Sequence, residues 1–168
     1  GWIIVCDMDE WLCVKEKDLI KEKENGISIL QVKGMNMIGE SKKEDLTDIG
    51  DLHNITKSYY NNWMSKKCCF LRDNIQEMNY ELGAHTCNPK GKIKYSKRLY
   101  INKHFDCLGL KWFINRKTIR HDRSKVMREK HKLCVHYASK DIKKITNQYN
   151  SLLRAGHEIK RLIPWAFY

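Results

Sequence analysis

Trp2-Ile3-Ile4-Val5-Cys6-Asp7-Met8-Asp9-Glu10 decides how the rest of this 168-residue chain is read. An apolar run rich in β-branched residues predicts a buried strand, and it stops in three carboxylates spread over four positions. In an open α/β sheet, ligands sit just beyond the carboxyl ends of the strands, so a strand ending in Asp-Met-Asp aims carboxylates at the ligand crevice. Period-two alternation puts Asp7 and Asp9 on one side of the chain and Met8 on the other. Carboxylates held that close repel each other unless a cation lies between them, and hard oxygen ligands suit Mg²⁺ or Mn²⁺. The plain alternative is a polar strand end followed by a turn.

Working outward, the chain is long enough for one core and is expected to form a single domain, residues 1–168. With 42% hydrophobic and 31% charged residues it belongs to the ordinary soluble class. No apolar run approaches the roughly 20 residues of a membrane helix, and no signal-peptide pattern is present. The seven cysteines (Cys6, Cys13, Cys68, Cys69, Cys87, Cys107, Cys134) contain no Cys-x-x-Cys, which argues against a zinc site or a secreted disulfide framework. A reduced, cytoplasmic setting is expected. The net charge of +12 would attract nucleic acid, an anionic membrane face or a phosphorylated substrate without choosing among them, and lysines spread over solvated faces are its plainer explanation.

Along the chain, Lys15 to Asn25 is a charged stretch with Leu19 and Ile20 as its apolar points, and Gly26 is a natural helix stop. Ile27 to Val32 is a second strand candidate, continued past Gly34 by Met35 to Ile38. Residues from Gly39 to Asn62 are polar and predict a long loop. Lys67 to Leu71 is a third short strand, Arg72-Asp73-Asn74 a turn, and Pro89 with Gly91 sets a reverse turn before Lys92 to Tyr95. Gly83 lets the backbone come close to something just before His85. Leu99-Tyr100-Ile101 then heads for His104. Helical spacing begins at Leu108, with Leu110, Phe113, Ile114 and Ile119 on one face. Arg120 to Lys132 is a basic, solvated stretch. A last helix is expected from Ser139 to Gly156, where Ile142, Ile145, Tyr149, Leu152 and Leu153 recur behind a capping serine. Pro164, Trp165, Phe167 and Tyr168 would pack back or meet a partner.

Val5-Cys6-Asp7-Met8-Asp9-Glu10-Trp11-Leu12, Asn79 to Gly91, His104-Phe105-Asp106-Cys107-Leu108-Gly109 with Asn115-Arg116, and His136-Tyr137 follow in an order that resembles glycosyltransferases of GT-A fold. The likeness is strongest to family-2-like and family-92-like enzymes, whose sequences carry an Asp-x-Asp-Glu-Phe strand end. It covers nearly the whole chain but only the catalytic, C-terminal half of such an enzyme. The resemblance therefore implies an α/β fold, a partial GT-A domain with a mixed sheet and C-terminal helices. The upstream nucleotide-binding units would lie before Gly1, and this segment alone would have weak or no transferase activity.

What the resemblance implies for residues is specific. Asp7 would face the ribose and the metal, Asp9 would bind the Mn²⁺ or Mg²⁺ that bridges the phosphates of a UDP- or GDP-sugar, and His104 would complete the metal shell. His85 would line the sugar or acceptor pocket, and Arg116 would meet the diphosphate through paired guanidinium hydrogen bonds. Glu81 is the candidate base for an inverting reaction, with Glu10 second. The acceptor would be a glycan, protein or lipid-linked hydroxyl, and the missing half or a second copy would complete the enzyme. Trp11 stands where Phe or Tyr is usual, and Asp106 where the family tends to be basic. Two other classes compete. A haloacid-dehalogenase-type phosphotransferase or phosphatase would use Asp7 as nucleophile, although Glu10-Trp11-Leu12 does not suit it. A basic nucleic-acid-binding module explains the charge but not the acidic corner.

Overall fold

The computed structural model describes residues 1–134 and 137–159. Its strands are β1 (Trp2–Ile4), β2 (Glu10–Cys13), β3 (Ile29–Ser41), β4 (Lys57–Tyr60), β5 (Cys69–Leu71), β6 (Ile75–Glu77), β7 (Lys90–Gly91), β8 (Tyr95–Gly109) and β9 (His157–Glu158). The helices are α1 (Glu16–Glu24), α2 (Leu110–Arg123), α3 (Lys125–His131) and α4 (Ile142–Ala155). His136 and the aromatic tail from Pro164 lie outside the described residues.

The chain divides into two compact units, Gly1–Asn36 with Tyr60–Phe105, and Met37–Tyr59 with the described residues from Asp106 onward. Two long strands, β3 and β8, each contribute residues to both. In the first unit β5 lies between β1 and β3, and β2 pairs with β8 in antiparallel register, Glu10 opposite His104 and Leu12 opposite Asn102. Contacts between β3 and β8 climb together along both strands: Ser28 with Lys94, Gln31 with Ser96, Asn36 with His104. That pairing is parallel, whereas β1–β5, β3–β5 and β2–β8 are antiparallel, so the chain is a mixed α/β protein.

The core of the first unit joins Leu12, Ile27, Leu30, Val32, Cys68, Cys69 and Tyr100. Helix α1 lies where the charged stretch predicts it: Asp18 reaches back to the Lys15 amide at 3.2 Å, and Gly26, at φ +71°, follows its last turn. In the second unit Ile38, Cys107, Phe113, Ile145 and Tyr149 form the core. Helix α4 supplies two of these from the predicted periodicity, and Tyr149 donates its hydroxyl to the Gly39 carbonyl at 3.0 Å. Its cap is Asp141, which accepts from the Lys144 amide at 3.1 Å, rather than Ser139.

Two expectations about the sheet fail. The opening strand is short and not buried: β1 lies at the end of the strand order, bonded to β5 alone, and Ile4 is 47% exposed. The expected long loop from Gly39 to Asn62 contains β4, which pairs with β9 through Lys57–Glu158 and Ser58–His157. Its sequence, Lys57-Ser58-Tyr59-Tyr60, lacks an apolar alternation because Ser58 is the buried residue and Lys57 is held at the surface by Glu40, 3.1 Å away.

Candidate metal centre

Because β1 ends at Ile4, the acidic corner is a turn between two strands rather than the end of one. The Glu10 amide donates to the Asp7 carbonyl at 3.0 Å, which closes the turn and abolishes the strand alternation that would have pointed Asp7 and Asp9 the same way. The two aspartates part company. Asp7 sends Oδ2 to the Lys66 ammonium at 2.6 Å, while Asp9 places Oδ2 3.4 Å from Nε2 of His104. The backbone fixes this second meeting, since the Phe105 amide donates to the Asp9 carbonyl at 2.8 Å, next to the Glu10–His104 register pair.

His104 and Asp106 are two positions apart on β8, so the strand's own period puts both on one face. One ligand atom from each of Asp9, His104 and Asp106 lies within 4.8 Å of the others. His104 is buried and the two aspartates are half-buried, so the cluster is capable of coordinating a divalent ion. The spacing fits one: with bonds of roughly 2.1 Å, adjacent corners of an octahedron are about 3 Å apart, close to the Asp9–His104 distance. The carboxylates suit hard cations and the imidazole suits transition metals, so the ligand set by itself does not select one divalent ion.

The histidine is set up as a ligand. Its Nδ1 is 3.0 Å from Oδ1 of Asn36, an oxygen that also accepts from Nδ2 of Asn61 at 3.2 Å. A proton on Nδ1 therefore leaves the Nε2 lone pair facing Asp9, the arrangement that orients most metal-bound histidines. Asn102, two residues before His104 on the same face, is fully buried, and its Oδ1 has no hydrogen-bond partner among the described residues.

Lys66 is the buried cation of the corner. Its side chain is 3% exposed, and its ammonium also meets Oε1 of Glu10 at 2.7 Å. Burial alone pulls the lysine pKa down, but hydrogen bonds and charge from Asp7 and Glu10 outweigh it and hold the ammonium above its ordinary value. At Cys6, the neighbouring Cys68 thiol hydrogen-bonds the sulfur and keeps its pKa below that of an ordinary cysteine.

Of the residues expected at the site, the structure brings together Asp9 and His104, and Arg116 reaches the cluster through Asp106, 2.8 Å from its Nε. Asp7 and Glu10 are ion-paired to Lys66, and Asp106 is likewise ion-paired to Arg116 and Arg120, so an ion at the cluster would share Asp106 with two guanidinium groups. Glu81 and His85 sit in a separate loop. There Thr86 donates its hydroxyl to the Glu81 carboxylate, and Nδ1 of His85 donates to the Trp63 carbonyl at 2.8 Å. Sequence reasoning gave no site role to Asp106, noted only as a departure from the family pattern, to Arg120, read as part of a solvated basic stretch, or to Lys66 and Asn36; Arg120 is 3.1 Å from Asp106 and one helical turn beyond Arg116. The His-x-Asp spacing was the one visible signal among them.

Comparison with protein-family models, curated proteins and solved structures finds no match to this chain. The geometry defines a metal-binding cluster consistent with an enzymatic site in general.

Proposed function

We propose that this chain belongs to a metal-dependent glycosyltransferase, which moves a sugar from a UDP- or GDP-sugar to an acceptor hydroxyl. The observation that carries the reading is the meeting of Asp9 with His104. Asp9 is a ligand candidate from the Asp-Met-Asp spacing and His104 from the resemblance, and their approach to 3.4 Å supports a shared ion.

Asp9, His104 and Asp106 would hold Mn²⁺ or Mg²⁺. When bound, the ion supplies charge neutralisation to a departing nucleoside diphosphate. Arg116 and Arg120, both paired to Asp106, keep two guanidinium groups at the cluster, and guanidinium is the side chain best shaped to receive phosphate oxygens. Lys66 neutralises Asp7 and Glu10, so the corner does not present an unbalanced negative field to an incoming anion. Of the two carboxylates considered as base, Glu10 is ion-paired to Lys66, which leaves Glu81 for the acceptor hydroxyl.

Thermal denaturation with a panel of UDP- and GDP-sugars, with and without MnCl₂, tests this. An ion at one hundred times its Kd stabilises the folded chain by about 2.7 kcal/mol, a rise of roughly 5–11 °C for a chain of this length. Asp9→Asn and His104→Gln should abolish the rise, and a nucleotide-sugar should add to it only when Mn²⁺ is present. Absence of any Mn²⁺-dependent rise, or a rise that Asp9→Asn and His104→Gln both retain, removes the metal site on which the transferase reading stands. Capture of a phosphoryl group on Asp7 from acetyl phosphate would transfer the site to the phosphotransferase class.

A further inference from the structure

Trp63 is 63% exposed, yet its backbone turn and the His85 ring beside it are held by hydrogen bonds. It occupies the middle of a single 3-10 turn, Asn62–Met64. Oδ1 of Asn61 accepts from the Trp63 amide at 3.1 Å, and the Asn61 amide donates to the Gly34 carbonyl at 3.0 Å. The Gly34 amide in turn donates to Oγ of Ser65 at 3.0 Å. The turn lies so close on β3 that a Cβ at Gly34 would stand 2.2 Å from the Met64 carbonyl carbon. His85 completes the seat: besides bonding the Trp63 carbonyl, it meets the indole edge-on, centroids 5.1 Å apart at 82°. Leu82, 75% exposed, stands in the neighbouring turn. A large aromatic surface kept in water on a rigid support has lost the entropy that a mobile side chain would spend on binding, and it gains most by being covered.

The same hydrogen-bond chain reaches the cluster. Asn61 uses its amide nitrogen on Asn36, and Asn36 is the group that orients His104. The turn that presents Trp63 and the histidine of the cluster are thus positioned by one shared side chain.

The polar surroundings select what would lie on the indole. Glu81, at the foot of the His85 loop, offers a carboxylate already bonded to the Thr86 hydroxyl. A carboxylate accepts from hydroxyl groups and repels phosphate. A pyranose ring has one face of C–H bonds, which suits the negative face of the indole quadrupole, and a rim of hydroxyls. A phosphodiester chain would bring its charge against Glu81.

We propose that Trp63 is a stacking platform for the acceptor and that the acceptor is a carbohydrate, whose ring lies on the indole with its hydroxyls toward Glu81. This rests on the transferase reading for the word acceptor, and on Trp63 alone for carbohydrate binding. The test is saturation-transfer NMR on the full chain with cello-, malto-, laminari-, manno- and chito-hexaose, and with uridine monophosphate as a nucleobase control. At least one hexaose should bind, lose tenfold or more in affinity in Trp63→Ala, and recover most of it in Trp63→Phe. Mn²⁺ affinity should be unchanged in both variants, which also reports that they fold. Absence of binding by every hexaose, equal binding by Trp63→Ala, or Trp63-dependent binding of the nucleobase control alone overturns the proposal. Hexaose binding that depends on Trp63 in a chain that takes up no Mn²⁺ upholds the carbohydrate platform and removes the transferase reading.

Discussion

A histidine becomes a metal ligand through the group on its other nitrogen. In this chain that group is Asn36, a 4%-exposed amide on β3 whose oxygen serves both His104 and Asn61. Removing the oxygen leaves the imidazole free to rotate and to exchange tautomers, so Asn36→Ala should weaken Mn²⁺ binding by about 10–100-fold. The fold should survive, because the lost bond is one of several in that region. Calorimetric titration of Mn²⁺ into the variant and the parent chain reads the change directly. An unchanged affinity would mean that Asn36 does not orient the ligand. The residue-scale features of the site were unequally legible. Asp9 and His104 follow from motif order, because their types are chemically distinctive. Asn36, Asn61 and Lys66 carry no such mark, since a buried amide or lysine is recognised by its partners and not by its neighbours in sequence. Asp106 was visible as His-x-Asp, but its place beside His104 depends on β8 running unbroken as far as Gly109.

At the scale of elements, periodicity located what periodicity can locate. Helices α2 and α4 lie where apolar residues recur at helical spacing, and α1 lies between an acidic first turn and Gly26. Strands are harder, because an apolar run reads alike at the centre of a sheet and at its edge. Trp2 to Val5 was expected to be buried and turns out to be an edge. In β4 the buried position is a serine, which leaves no hydrophobic signal at all. Gly34 was legible only as an interruption in a strand, and the structure supplies its reason, the close approach of the Asn62–Met64 turn. Gly34→Ala should therefore cost about 1–3 kcal/mol through overpacking, seen as a melting temperature lower by roughly 2–12 °C. The added methyl meets backbone rather than the end of a flexible side chain, so relief requires the turn to lift from β3. A melting temperature equal to that of the parent would show that the turn is not held there.

Across the whole molecule, charge and site are separate properties, and ionic strength can tell them apart. The excess of +12 is carried by lysines and arginines throughout the chain, with a concentration from Arg116 to Lys132. A polyanion attracted by that excess displaces counterions, and its affinity must fall steeply as salt rises. The cluster of Asp9, His104 and Asp106 would hold a cation through inner contacts of buried and half-buried atoms, where screening by salt is weak. Heparin or single-stranded DNA should therefore lose at least tenfold in affinity between 50 and 200 mM salt, with the same slope in Asp9→Asn as in the parent chain. Mn²⁺ affinity should change by no more than about twofold over the same range and vanish in Asp9→Asn. Polyanion binding that required Mn²⁺ and Asp9 would instead make nucleic acid the ligand of the cluster itself. The distinction matters because the basic charge alone fits a nucleic-acid module, whereas a cation held by two aspartates and a histidine has no use in one that binds by charge.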